Sequence, residues 1–390
     1  MHALHMTNAQ LSAWLALAGA SGLTPAALRA LLDAFGAAQA VRAQSFDALA
    51  AIAGEQAARA VLAPPGARFD ESVARLAAWC SETGNTLVAL DDPTYPPTLR
   101  TMHDPPPLLY VKGRLELLHA PGVAIVGSRN ATPQGLEDAE HFARSLADAG
   151  LTIVSGLALG IDGAAPRGAL DARGGTVAVI GTGADIVYPA GHRALAHALA
   201  ARGAIVSEWP LGTPARREHF PQRNRLIAGL ARGVLIVEAA LRSGSLITAR
   251  LANEMGREVF AVPGSIHAPL SRGCHQLIKE GAKLTETPED IFEEFGTVAP
   301  APRSAPSALA PAPAASVTTP ACALDPAHLD ACAARVLDAL GHAPATLEIL
   351  AARTDMPSAA LQGKLLELEL AGHVSTMPGG RFARTVRQPR

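Results

Sequence analysis

The chain has 390 residues, of which 49% are hydrophobic and 17% are charged, and its formal net charge is −2 at pH 7. These values are typical of a globular protein with a sizeable core, divided into roughly two to four domains. They exclude an evenly basic surface, so a nucleic acid, if bound, has to meet a local patch.

Membrane and metal partners are not expected. The chain contains no run of about 18 apolar residues, the minimum for a transmembrane helix. Its four cysteines (Cys80, Cys274, Cys322 and Cys332) are too far apart in sequence to suggest a metal site. This pattern predicts a reduced, cytoplasmic protein without a metal or cofactor.

Residues 1–68 are predicted to form a small helical module. Leu11, Trp14 and Leu15 recur at helical spacing, and Thr24 followed by Pro25 is typical of a helix N-cap with proline in the first turn. Short helices joined by glycine-containing turns fit either a helix-hairpin-helix or a sterile-alpha-motif-like bundle. Both a DNA-binding and a purely structural role remain open for this module.

Residues 69–296 are predicted to form an extended Rossmann-like α/β domain with a parallel sheet. Five short runs rich in Val, Ile and Leu each lead into a turn and then a helix, as strands buried on both faces do. The loops at the carboxyl ends of such strands form one crevice. The five segments are residues 122–129, 151–156, 176–183, 204–208 and 234–238, with further strands expected at 86–90, 108–111, 259–262 and 282–284.

The loops after these strands carry Gly, Ser, Thr and Arg, which bind phosphate through backbone N–H groups, hydroxyls and guanidinium forks. Asp162 and Asp185 are interpreted as cap or turn residues, so no catalytic acid–base pair is predicted. Tyr188 is a candidate for stacking on a base. The candidate phosphate contacts are Gly127, Ser128, Arg129, Ser155, Gly156, Gly160, Gly181, Gly183, Arg193, Arg223, Asn224, Arg225, Ser243, Gly244, Ser245 and Thr248.

Two features within this domain strengthen the prediction of an anion site. Residues 193–272 contain 11 Arg but only 5 Glu and no Asp. Phe220-Pro221 is interpreted as the start of a helix, which would place Arg223 and Arg225 against its dipole. A bound anion would remove that local misfit.

The C-terminal part is predicted to be a linker followed by a winged-helix domain. Residues 297–327 include seven prolines among Ala, Ser and Thr, as a semi-rigid linker does. Residues 328–390 show three helical segments and then a hairpin with a Gly379-Gly380 turn. The third segment carries Lys364 against Glu367 and Glu369, which favours a protein-interaction or packing role over DNA binding.

Several motifs together resemble the DprA family of DNA-processing proteins. They are G-S-R at 127–129, S-G-x-A-x-G-I-D at 155–162, I-G-T-G at 180–183 with Y-P at 188–189, F-P-x-R-N-R at 220–225 and S-G-S-L-x-T-A at 243–249. The resemblance implies a protein of natural transformation that binds incoming single-stranded DNA, protects it and loads the RecA recombinase onto it. It also implies a homodimer formed through the Rossmann-like domain, and no catalytic residues.

The chain departs from the family pattern at two positions. Pro166 stands where the family often has His, and His192 stands where it tends to have Asn. A role of either family residue is therefore not transferable, and Arg193 becomes the better candidate for a phosphate contact.

The alternative is an enzyme resembling the nucleoside-monophosphate phosphoribohydrolases, which share a Rossmann-like crevice. Their P-G-G-x-G-T-x-x-E motif supplies a glutamate, whereas here Arg250 stands near the end of the analogous segment. A structural adaptor acting through the winged helix is a third hypothesis. The dimer geometry, the RecA-contacting surface, the partner of the winged helix and the role of the N-terminal module stay open.

Overall fold

The computed structural model describes residues 6–296, 330–341, 344–377 and 379–385. The predicted linker, residues 297–327, lies outside this range. The described chain divides into two compact units, of which the first holds the N-terminal helices and the sheet and the second holds the winged helix.

Within the first unit, helices precede the sheet. Thr7 caps α1 in a reciprocal capping box with Gln10, and the Thr24 hydroxyl accepts a hydrogen bond from the Ala27 N–H at the start of α2. The apolar faces of these helices join one core with the first two strands, so the domain boundary near residue 68 stays a prediction. The helices are α1 Asn8–Ala18, α2 Pro25–Phe35, α3 Ala38–Arg42, α4 Phe46–Ala53, α5 Glu55–Leu62 and α6 Phe69–Ser81.

A nine-stranded sheet follows, in the spatial order β1-β2-β6-β5-β4-β3-β7-β8-β9. The last seven strands in this order, from β6 through β3 to β9, are parallel to one another. Strand β2 runs antiparallel to both of its neighbours. The predicted parallel α/β sheet is therefore confirmed. The strands are β1 Asn85–Ala89, β2 Leu108–Gly113, β3 Gly122–Val126, β4 Thr152–Ser155, β5 Thr176–Val179, β6 Ala204–Ser207, β7 Gly233–Ile236, β8 Glu258–Ala261 and β9 Lys283–Leu284.

The chain order places a topological switch point between β3 and β7. From β3 the chain moves through β4, β5 and β6 on one side of the sheet, and then returns to β7 on the other side of β3. The loops that leave β3 and β7 diverge, which opens a crevice between them. The helices around the sheet are α7 Pro97–Arg100, α8 Pro133–Asp148, α9 Ile161–Ala169, α10 Arg193–Arg202, α11 His219–Leu230, α12 Ser245–Glu254, α13 Arg272–Lys279 and α14 Pro288–Glu294.

Helix α11 begins within one residue of the predicted start, but its arginines lie farther from the N-terminus than predicted. The helix begins at His219, so Pro221 occupies its third position and Arg223 and Arg225 lie in its second turn. Proline is tolerated in the first turn because the N–H groups there have no intrahelical partner. The predicted clash of these arginines with the helix dipole was therefore wrong.

The second unit contains the predicted winged helix with its own apolar core. Val336, Leu350 and Leu361 are fully buried in it. Strands β11 and β12 form the predicted antiparallel hairpin, and the short β10 pairs with β12. The elements are α15 Ala331–Leu340, β10 Ala345–Thr346, α16 Leu347–Thr354, α17 Ser358–Leu370, β11 Val374–Met377 and β12 Arg381–Arg384.

Candidate nucleic-acid interface

A cleft of about 780 Å³ opens at the switch point. Its walls come from the loop after β3, the loop after β7 that leads into α12, and the segment that leads into α11. Ten of the predicted site residues line it, namely Gly127, Ser128, Arg129, Tyr188, Arg223, Asn224, Ser243, Gly244, Ser245 and Thr248.

The loop after β3 is held in place from below. The Ser128 hydroxyl accepts a hydrogen bond from the Asn130 N–H at 3.2 Å, and the Ser128 carbonyl accepts one from the Ile161 N–H at 3.1 Å. Gly160 has a φ of +73° and lies so close to this loop that a Cβ there would collide with the Ser128 carbonyl. Gly160 is therefore needed for packing behind the cleft, and it does not line it.

The opposite wall is the N-terminus of α12. The Ser243 hydroxyl lies 2.7 Å from that of Ser245 and accepts a hydrogen bond from the Ser245 N–H at 3.3 Å. Thr248, one turn further along α12, is buried and also lines the cleft. Hydroxyls at the start of a ten-residue helix can donate to a phosphate oxygen, and the helix dipole there favours an anion.

Exposed arginines surround the cleft. Arg129 lies over the Phe220 ring, with its guanidinium carbon 5.3 Å from the ring centroid, and Tyr188 lies 5.6 Å from the same ring. Arg216, Arg217 and Arg242 are also exposed along the cleft. These last three were not among the predicted contacts, although the arginine excess in residues 193–272 pointed to them.

Arg223 lines the floor of the cleft but is almost completely buried there. It is 3% exposed, and one guanidinium nitrogen donates hydrogen bonds to the carbonyls of Gly156 and Val179. Its other terminal nitrogen lies 3.5 Å from the Asp162 carboxylate. Burial lowers the pKa of Arg223 to about 10, partly offset by Asp162, so the side chain keeps its positive charge at neutral pH.

Asp162 forms the acidic part of this buried pair. The backbone N–H groups of Gly127 and Ala158 stabilise its carboxylate, which lines the cleft floor. Burial raises the pKa of Asp162, against the opposing effect of the Arg223 cation. Its interpretation as a cap was incomplete, because the side chain joins the loops after β3 and β4.

Arg225 is occupied by protein groups outside the cleft. It forms an ion pair with Glu208, and it donates a hydrogen bond to the Asp104 carbonyl at 2.6 Å. Its side chain is 18% exposed and that of Glu208 is 12% exposed. The structure thus gives Arg225 a packing role in place of the predicted phosphate contact. It joins α11 to the loop before β2 and to the loop after β6.

Most of the other predicted contacts support the loops from behind, and Arg193 is exposed away from the cleft. The Ser155 hydroxyl donates a hydrogen bond to the Ile125 carbonyl at 2.7 Å, and the Gly181 carbonyl lies 3.0 Å from Nδ1 of His219. Gly183 packs against the Pro210 carbonyl, and Arg193 is exposed at the start of α10. The residues that do not line the cleft are Ser155, Gly156, Gly160, Gly181, Gly183, Arg193 and Arg225.

The chemistry of the cleft suits anion binding. Among its lining residues, all within the described part of the chain, Asp162 is the one acidic side chain. Arg250, which stands near the hydrolase glutamate position, is exposed on α12 and does not line the cleft. In the described residues there is no group of three or more His, Cys, Asp or Glu side chains arranged to hold a metal ion. Nor does any described helix have the length and apolarity needed to span a bilayer.

Comparison with known families agrees with these motifs. The family model for DNA recombination-mediator protein A matches residues 86–296, and the model for the DprA winged helix domain matches residues 319–380. The chain belongs to the DprA family. Both the Rossmann-like domain and the winged helix at its end are therefore family features.

Individual relatives cover most of the chain. Protein Smf of Escherichia coli is 42% identical over 305 residues, which is 77% of this chain and 78% of the relative. DNA processing protein DprA of Streptococcus pneumoniae is 50% identical over 206 residues, or 53% of this chain and 72% of the relative. The solved structure of the pneumococcal DprA superposes with a TM-score of 0.63 at 38% identity and covers 75% of this chain and 99% of that one.

The two departures from the DprA pattern are structural in this chain. His192 is buried, with Nδ1 3.1 Å from the Leu157 carbonyl, and its ring packs against Gly163 of α9. Pro166 is buried within α9. Neither side chain lines the cleft.

Proposed function

We propose that this chain binds single-stranded DNA through its phosphate backbone in the cleft at the switch point. The observation that carries the proposal is the convergence of exposed Arg129, Arg216, Arg217 and Arg242 on the N-terminus of α12. Four cations and a helix N-terminus around one cleft favour a polyanion. Membership of the DprA family supports the same ligand.

The preference for a single strand rests on the aromatic groups beside the cleft. Tyr188 is 48% exposed and tilted against Phe220. A base can stack on such a surface only when it is not paired inside a duplex, and stacking tolerates any sequence. We therefore propose binding that is largely independent of sequence and weaker for duplex DNA.

A titration at several salt concentrations tests this proposal. Single- and double-stranded oligonucleotides of equal length are compared, and log affinity is plotted against log salt. For a single strand the slope is expected to be about −0.7 per phosphate neutralised. Equal affinity for the two forms would overturn the preference for single strands.

A matched pair of variants locates the binding site. Arg216→Gln with Arg217→Gln removes two cations from the cleft and should weaken binding and reduce the salt slope. Arg173→Gln is the control, because Arg173 is exposed just before β5, at the amino edge of the parallel strands. If both changes have the same effect, binding does not depend on the cleft.

The remaining roles are proposed from the family alone. We propose that the protein protects incoming DNA in the cytoplasm during natural transformation, loads the RecA recombinase onto it, and acts as a homodimer through the Rossmann-like domain. We also propose that it acts by binding and without catalysis. An AMP-hydrolysis assay tests the last point, since a phosphoribohydrolase would release the free base.

A further inference from the structure

The floor of the cleft combines features that are hard to reconcile with simple charge attraction. A site for a polyanion contains a carboxylate, that of Asp162, among its lining residues. The paired Arg223 faces it at 3.5 Å and is almost completely buried. Because the pair carries one negative and one positive charge, it does not attract phosphate overall. Its contribution to DNA binding therefore has to be of another kind.

The pair connects three loops at the carboxyl edge of the sheet. Asp162 follows Ile161 in α9, and the Ile161 N–H donates a hydrogen bond to the Ser128 carbonyl, in the loop after β3, at 3.1 Å. The backbone N–H groups of Gly127 and Ala158 also stabilise the Asp162 carboxylate. Arg223 donates to the carbonyl of Gly156, after β4, and to that of Val179, the last residue of β5. Through these bonds one buried pair fixes the relative positions of the loops after β3, β4 and β5.

The packing around the pair leaves no room for adjustment. A Cβ on Gly156 would collide with both the Arg223 guanidinium and the Asp162 carboxylate. A Cβ on Gly127 would lie 2.7 Å from Cγ1 of Ile161, the neighbour of Asp162. The backbone at Gly127 and Gly156 is therefore packed directly against α9 and the buried pair, and Gly127 opens the Gly127-Ser128-Arg129 loop on the cleft wall.

We propose that Asp162 and Arg223 are positioning residues that orient the Gly127-Ser128-Arg129 loop for phosphate, and that neither contributes its charge to DNA attraction. This inference rests on the proposed function of the cleft. It means that a buried carboxylate increases the affinity for a polyanion. Electrostatic attraction alone predicts that the carboxylate lowers this affinity.

Asp162→Asn separates the two explanations. The change is isosteric and removes one negative charge from the cleft floor. Charge attraction predicts tighter binding of single-stranded DNA and a steeper salt slope. Our proposal predicts binding weaker by about tenfold at fixed salt, because an amide in place of the carboxylate loses the ion pair with Arg223 and weakens the hold of α9 on the loop. The salt slope should stay unchanged, since the exposed arginines remain.

Asp185→Asn is the matched control. Asp185 also pairs with an arginine, Arg75 at 2.6 Å, and accepts a backbone N–H, that of Gly212 at 2.8 Å. It lies outside the cleft. Its replacement makes the same change in net charge and a similar loss of local bonds, and should leave affinity the same or slightly higher.

Should Asp162→Asn fail to fold, Arg223→Lys provides the test from the other side of the pair. Lysine keeps the positive charge but lacks the planar fork that reaches two carbonyls and a carboxylate together. We expect the same loss of affinity at an unchanged salt slope. Thermal unfolding of the free proteins shows whether each variant is native at the assay temperature.

The outcomes are distinguishable. If the unaltered protein does not bind single strands, the proposed function fails. If it binds but Asp162→Asn binds equally or more tightly, the inference alone is overturned. A weaker variant with a shallower salt slope also overturns it, because that result means that a cation–phosphate contact was lost. Weaker binding at constant slope, absent in Asp185→Asn, supports it.

Discussion

At the scale of single residues, Arg129 offers the most direct test of the cleft. It is exposed, it follows Ser128 on the cleft wall, and its guanidinium lies over the Phe220 ring. Arg129→Ala should weaken single-strand binding by roughly 1–3 kcal/mol, the range for losing a charge-assisted contact. The thermal midpoint should change little, since an exposed side chain is removed. Arg173→Ala is the control, and unaltered affinity of Arg129→Ala would reject the assignment.

Arg225 should behave in the opposite way, because it stabilises the fold. Arg225→Gln leaves the mostly buried Glu208 carboxylate without its cation and should lower the free energy of unfolding by roughly 1–3 kcal/mol. Single-strand affinity should stay nearly the same. Adding Glu208→Gln to this variant should recover part of the lost stability, which denaturant titrations of the unaltered protein and the two variants would measure.

The same variant has a defined pH dependence. Burial already raises the pKa of Glu208 in the folded protein, and Arg225 opposes that rise. Without Arg225 the pKa of Glu208 rises further, so the folded state binds a proton more readily than the unfolded chain. The stability deficit of Arg225→Gln should therefore shrink as the pH falls from about 7 to about 5. A deficit that grows over this range would contradict the ion-pair role.

Residue types and motifs predicted the cleft better than they predicted individual contacts. Ser128, Arg129 and Ser243 were found because each lies in a loop that leads from a strand to a helix. Arg223 and Arg225 could not be assigned from sequence, since their partners, Asp162 and Glu208, are 61 and 17 residues away along the chain. Which arginine faces solvent and which faces a carboxylate depends on long-range packing.

At the scale of elements, the strands were predictable, whereas the shortest strand and the positions of side chains along α11 were not. Strands buried on both faces stand out as runs of Val and Ile, as in β3 and β5. The two residues of β10 are too few to show any periodicity. The start of α11 was predicted to within one residue, but the sequence did not show that Arg223 and Arg225 lie in its second turn.

The packing of α13 against β7 gives a prediction for Cys274. This thiol is fully buried, with Sγ 3.6 Å from the Ile236 carbonyl at the end of β7. Burial raises its pKa to about 12, so it stays protonated and unreactive at mildly alkaline pH. Mass spectrometry after alkylation of the folded protein should find Cys274 unmodified, with half-buried Cys332 as the internal comparison.

The same experiment reports on ligand binding. Alkylation of Cys274 requires local opening of α13, which lies beside the switch point, and a ligand that binds only the closed form reduces that opening. Single-stranded DNA should therefore slow the labelling of Cys274 further. Rapid labelling of Cys274 in the native protein would contradict the packing of α13 described above.

At the scale of the whole molecule, the two compact units have separate apolar cores. The core of the winged helix consists of residues from α15 to β12, and none of them belongs to the core of the sheet. Its third helix, α17, presents little positive charge, because Lys364 lies 2.9 Å from Asp330 and also pairs with Glu367. The winged helix thus has a core of its own, and its third helix differs in charge from the arginine-lined cleft.

Deleting residues 297–390 should therefore leave a folded protein that still binds single strands. Every residue that lines the cleft lies between Val126 and Leu270, and a unit with its own core can be removed without exposing that of its neighbour. The thermal midpoint and the salt slope of the truncated chain should match those of the full chain within error.

If the truncated chain is folded but has lost most of its affinity, the winged helix is the main DNA site and the role of the cleft is secondary. Retained affinity with a shallower slope would assign only some of the phosphate contacts to the winged helix, and Arg381→Gln in the full chain would then test the exposed hairpin as their source.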